Sequence, residues 1–183
     1  MVIVHSATKG LAAMTLALAH SRGWLDYEER VCAYWPEFAQ RGKEMFSKVG
    51  CALCHNPSFQ TPGTANPTTE SEEIGPHSVA LRGQTVNLYS DLLVHRMGAT
   101  LADNVIQGNA GPDEFRTTPL WGLGQRLFFL HDGRTSDLRE AIQAHRSGSF
   151  FTFNASEANG VIKNFNALQD NQKQDVLNFL RSL

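Results

Sequence analysis

The chain has 183 residues, 42 % hydrophobic and 19 % charged, which is enough for one domain of ordinary size with an appendage and too apolar for a disordered chain. Lys and Arg total 16 against 18 Asp and Glu, a formal net charge of −2, so there is no basic excess for a nucleic-acid surface. No run reaches the roughly 18 apolar residues that span a bilayer, so the expectation is a protein that does not cross a membrane.

In chain order, residues 6–21 read as a helix: Leu11, Met14, Leu18 and intervening alanines lie at helical spacing, and Gly23 follows as a stop. The same stretch has one Lys, an apolar core from Leu11 to Leu18 and Ala17-Leu18-Ala19 as a small-residue cleavage pattern, so it also passes as a secretory leader. Residues 24–35 are mixed, and Cys32 reads as a small buried apolar residue. Pro36 suits the first turn of a helix over 36–49, with Phe38, Met45, Phe46 and Val49 near one face. Residues 56–87 concentrate Pro, Thr, Ser, Asn and Gly without a period and read as a long loop. Short helices are expected at 88–95, 100–107, 137–146 and 155–165. A last one over 168–182 has a stripe of Leu168, Val176, Leu177 and Leu180, with Asp170 as a weak cap. Sustained period-2 alternation is missing and "RLFFL" is only a short apolar run, so the expected class is mostly α with long loops.

Between the second helix and the long loop stands "KVGCALCHNP", residues 48–57. C-x-x-C-H is the attachment signal of a c-type haem. Cys51 and Cys54, one helical turn apart, can each add to a vinyl group on one porphyrin edge, and His55 can then offer a nitrogen to the iron. Structural zinc wants four ligands in two pairs, and neither a second C-x-x-C nor an H-x₃₋₅-H exists here. A redox dithiol wants a βαβ context, whereas these surroundings are helical. A chance pattern remains the plain alternative. For a sixth iron ligand, Met97 sits in a Gly-bounded loop and His145 ends the helix "DLREAIQAH"; composition does not choose between them.

The segments "GKEMFSKVGCALCHNP", "YSDLLVHRMGATLAD", "EFRTTPLWGLG", "LHDGRTSDLREAIQAH" and "LNFLRSL" resemble, in order, the C-terminal haem domain of the bacterial di-haem cytochrome c peroxidase group, in its di-haem oxidoreductase branch. The resemblance implies a c-type cytochrome-like helical domain over 44–183 with one haem c. Cys51 and Cys54 would be its thioether anchors, His55 its proximal ligand and His145 its distal ligand, preferred to Met97. It further implies that Arg116 meets a haem propionate and that Trp121 and the loop around Met97 line the ring. The group's N-terminal half, with its own C-x-x-C-H, is missing, so the implied role is a one-electron carrier with a redox partner protein rather than a peroxidase. Haem attachment implies export to a periplasmic or equivalent compartment. The alternative is a cytoplasmic chain, if the leader-like segment does not function.

Residues 3–43, by contrast, are similar to the start of the serine β-lactamase-like hydrolases and family VIII esterases, with "SATK" matching S-x-x-K. This resemblance implies a nucleophile at Ser6 and a general base at Lys9, with Tyr89 as a further proton-transfer group. Without that chemistry, Ser6 reads as a helix N-cap and Lys9 as a solvated side chain. The chain then looks like a fusion of an N-terminal helical segment, 1–43, to the haem domain. That first helix is expected to pack its Leu/Ala/Met face on the haem domain or on a partner chain, which makes it a candidate homo-oligomer contact.

Overall fold

A computed structural model describes residues 7–29, 37–63 and 79–183. Among these, the helices are α1 (Ala7–Ser21), α2 (Glu37–Val49), α3 (Leu138–Ala144), α4 (Asn159–Asn166) and α5 (Asp170–Arg181). Four short strands pair two by two: β1 (Phe59–Gln60) with β2 (Thr85–Val86), and β3 (Val94–Arg96) with β4 (Glu114–Arg116), both antiparallel. The class is helix-rich with a little sheet, which only loosely fits the expected mostly-α description.

α2 and α5 form the centre. Each is strongly one-sided, and together with α3, α4 and the short turn at Leu123–Gln125 they bury Phe46, Leu123, Leu138, Phe165, Val176, Leu177, Phe179 and Leu180 as one cluster. The two helices touch backbone to side chain at Gly42. A Cβ there would overlap the Asp175 carbonyl and the Phe179 Cβ, so only glycine allows this approach. α5 begins with a reciprocal cap: the Gln169 side chain and Gln172 each bond the other's backbone, so Gln169 rather than Asp170 caps it.

α1 runs over nearly the expected span and stops where Gly23 turns left-handed, at φ +70°. Of the two packings expected for its Leu/Ala/Met face, the one against the rest of the chain is not found among the described residues. Residues 12–18 are all exposed, with Met14 70 %, Leu16 52 % and Leu18 49 % accessible, so the Leu/Ala/Met face is not laid on the haem-side helices. The apolar residues are spread around the helix more than gathered on one side. Cys32 and Ser6 lie outside the described residues, as does the Lys9 side chain.

Two expected helices are absent. Residues 88–93 form a tight turn leading into β3, with Tyr89 and Leu92 at φ +51° and +61°, a conformation no helix accepts. Buried Ser90 holds that turn: its Oγ donates to the Thr117 carbonyl (2.7 Å) and accepts from the Leu92 N–H (2.9 Å). Over 100–107 the Asp103 carboxylate takes the Val105 N–H, Asn104 turns to φ +61° and Gln107 bridges to Ala110. Short polar side chains here outcompete the helix for its own donors. The strands escaped the sequence pattern because pieces of two or three residues show no alternation.

Candidate haem site

α2 ends at Val49, and Gly50 at φ +105° turns the chain into a single 3₁₀ turn, Cys51–Leu53, that carries the cysteine motif. The turn is anchored on both sides. Asn164 of α4 donates to the Val49 carbonyl (3.1 Å), the His55 N–H returns to the Cys51 carbonyl (2.9 Å), and Cys51 and Ala52 pack on the core cluster. The Cys51 and Cys54 thiols are free rather than joined. They differ in setting: burial pushes the Cys51 thiol up to about 12, while Cys54 is raised by burial and by the nearby Asp91 and Glu157 carboxylates.

His55 projects from this turn beside Phe46, at 6.2 Å between ring centroids, and its Nδ1 bonds the Tyr89 carbonyl at 3.0 Å. The strained turn at 89–92 aims that carbonyl, and three backbone bonds tie it to the cysteine loop: Tyr89 to Pro57, Ser90 to Asn56 and Asp91 to Cys54. His145 is the C-terminal cap of α3, a seven-residue helix started by Asp137, whose side chain accepts from the Arg139 and Glu140 N–H groups. Its Nδ1 bonds the Ala141 carbonyl at 2.8 Å. In both histidines Nδ1 is thus the donor and Nε2 keeps its lone pair.

Burial holds His55 down to about 4, against the opposing effect of its bond to Tyr89. Burial also lowers His145, against its bond to Ala141. Both imidazoles are therefore neutral at neutral pH. Their ring centroids stand 6.5 Å apart at an interplanar angle of 60°. Two metal–imidazole bonds of about 2 Å each, with the rings' own radii, span roughly 6 Å, a length that the separation of these rings matches. The residues present suit a haem held by two histidines beside two cysteines.

The other expected site residues lie around this pair less directly. Met97 is buried just after β3, its N–H bonded to the Asp113 carbonyl. Arg116 ends β4 exposed, opposite Val94, and its side chain makes no hydrogen bond or ion pair among the described residues. Trp121 is half exposed, following Leu120, whose N–H reaches the Leu88 carbonyl. Tyr89 packs its ring edge-on against Phe46 and Phe179, and burial raises its hydroxyl. It serves the site through its backbone carbonyl. Lys9 belongs to α1, and Ser6 lies outside the described residues.

A second group beside the cysteine motif is not singled out in the sequence. His95 in β3 sits between Asp91 (Nε2–Oδ2 2.8 Å) and Glu157 (Nδ1–Oε2 2.9 Å), with Cys54 Sγ 3.8 Å from Nδ1. Burial opposes charge on His95, but the two carboxylates outweigh it and raise its proton affinity. The spacing of Asp91 and His95 hints at this group; Glu157, 62 positions further on, gives no such signal.

A family model described as "Di-haem oxidoreductase, putative peroxidase" matches residues 30–183. No curated protein and no solved structure matches the chain. The match starts ahead of residue 44, inside the segment that resembles the hydrolases, and no comparison supports that hydrolase resemblance. Family membership points to haem as the cofactor and to oxidoreductase chemistry, and its description implies two haems where this sequence carries one C-x-x-C-H. Most of the chain, with the cysteine loop and both histidines inside the match, belongs to the di-haem oxidoreductase family.

Proposed function

We propose that residues 44–183 form a monohaem cytochrome c domain that passes single electrons to and from a redox partner protein. The observation that carries this reading is the pair of neutral imidazoles, His55 and His145, with ring centroids 6.5 Å apart and each Nδ1 engaged by a backbone carbonyl. When bound, the haem supplies an iron that cycles between two oxidation states. Cys51 and Cys54 would hold the ring by thioether bonds and His55 and His145 would bind its iron, with Met97 as a wall of the pocket. Arg116, free of other pairing, presents its guanidinium to a propionate, and Trp121 shields the ring edge. The Tyr89 and Ala141 carbonyls fix the tautomer of each ligand, which keeps the ring orientations constant through electron transfer. An iron bound by both His55 and His145 would have no open position for peroxide, which would suit a carrier. Covalent attachment places the mature protein in an exported compartment, with the apolar stretch Leu11–Leu18 and Ala17-Leu18-Ala19 as its leader signal.

The test is the visible spectrum of full-length protein exported with haem-attachment machinery. A Soret band that survives acid–acetone extraction is expected, and an extractable band or none at all refutes the reading. His145→Ala should convert the spectrum from low to high spin while Met97→Ala leaves it low spin; the reverse pattern assigns the sixth position to Met97.

A further inference from the structure

Cys54 faces a group of side chains that the haem reading does not use. One sulfur, one imidazole nitrogen and one carboxylate oxygen, from Cys54, His95 and Asp91, lie within 4.8 Å of one another. All three are partly buried. Tetrahedral zinc, with Zn–S of about 2.3 Å and Zn–N of about 2.0 Å, sets its ligands roughly 3.5 Å apart, inside the 4.8 Å that encloses this group. The Asp91 Oδ2 contact to His95 Nε2, at 2.8 Å, is a hydrogen bond that opens by about half an ångström into ligand spacing. Asp91 is fixed from the other side: its Oδ1 accepts the Leu93 N–H at 3.0 Å and its own N–H bonds the Cys54 carbonyl at 2.7 Å. Glu157 accepts from the second imidazole nitrogen and the Arg96 N–H, so it orients the ring as a carboxylate behind a metal-bound histidine does.

We propose that the chain, before its cysteines are consumed by haem, binds one thiophilic divalent cation of the zinc class on Cys54, His95 and Asp91. Sulfur, imidazole and carboxylate together select zinc, cobalt or nickel over magnesium and calcium. Binding displaces the Cys54 thiol proton and one His95 imidazolium proton to solvent, so the cation replaces two protons without changing the net charge of the site. Thioether formation at Cys54 removes the thiolate, so haem and cation are alternative occupants of the same sulfur. The proposal does not depend on haem attachment, since it concerns the chain without it.

The experiment titrates the haem-free full chain, made without export, with cobalt(II) alone and then with zinc as competitor. One equivalent should saturate the protein and give a thiolate-to-cobalt charge-transfer band that zinc abolishes. Cys54→Ser should remove the band. His95→Ala and the isosteric Asp91→Asn should each weaken binding at least about tenfold, and Glu157→Gln about tenfold. Cys51→Ser should change neither band nor affinity. A band lost equally on Cys51→Ser would mean a simple dithiol chelate and overturn the proposal, as would unchanged affinity in Asp91→Asn, or no saturation at one equivalent. Circular dichroism checks each variant's fold, and Asp91→Asn carries the test should His95→Ala fail to fold. Covalent haem on separately matured His95→Ala shows that the haem reading stands apart from this result.

Discussion

α1 and the α2–α5 pair make opposite use of apolar residues. α1 is the richer in them and buries almost none of Met14, Leu16 or Leu18, because they are spread around the helix. α2 and α5 are more polar on average, yet their few apolar residues share a face, and that face includes Phe46, Val176 and Phe179, each no more than 3 % exposed. Packing follows the arrangement of apolar side chains rather than their number. The cysteine turn hangs from the end of α2, so its position rests on the one-sided pair and not on α1.

This contrast can be tested by substitution. Phe165→Ala opens a cavity beneath α2 and α5 and should cost about 3–5 kcal/mol in chemical denaturation, with loss of any haem loading; a smaller cost would mean the pair can close over the gap. Next in size is a pH effect of the site. His55 is held at about 4 in the folded chain against 6.5 in the unfolded one, so the unfolded state binds the extra proton between these values. The haem-free chain should therefore keep this stability above pH 6.5 and lose it as pH falls towards 4, read as a falling Tm, and His55→Gln should flatten that slope. A third change acts on the short helix carrying His145: Asp137→Ala removes its cap and should cost about 1 kcal/mol, and, with His145 on the haem iron as proposed, it should loosen that side chain enough to show in the spin state of the matured protein. Smallest of all, Leu16→Ser on α1 should shift stability by less than about 0.5 kcal/mol and leave the spectrum unchanged. A larger effect would reveal a docking face on α1.

The sequence was most legible where one element carries its own signal. C-x-x-C-H identifies the loop, the stripe on α5 identifies a core helix, and the end of "DLREAIQAH" identifies the cap position of His145. It was least legible where partners come from distant segments. The carbonyl of Tyr89 that orients His55 depends on a left-handed tyrosine and on Ser90 bonded to Thr117, and none of these has a periodic signature. The Cys54–His95–Asp91–Glu157 group is likewise assembled by β3 and the turn before α4, so only the folded chain brings it together. The helices expected at 88–95 and 100–107 failed for the same reason: local side-chain bonds and tertiary anchors overrode propensity.

The glycine contact of α2 with α5 has a consequence in time as well as in space. Gly42 meets Asp175, so the helix that presents the cysteines has its packing partner more than 130 residues downstream. Such long-range closure is slow and comes late in folding. During vectorial synthesis α2 emerges first and waits, with Cys51 and Cys54 on an unanchored turn, until α5 has been made. Haem attachment and metal capture would then compete over a loop whose geometry is set only at the end of folding, and the order of these events decides which occupant it receives.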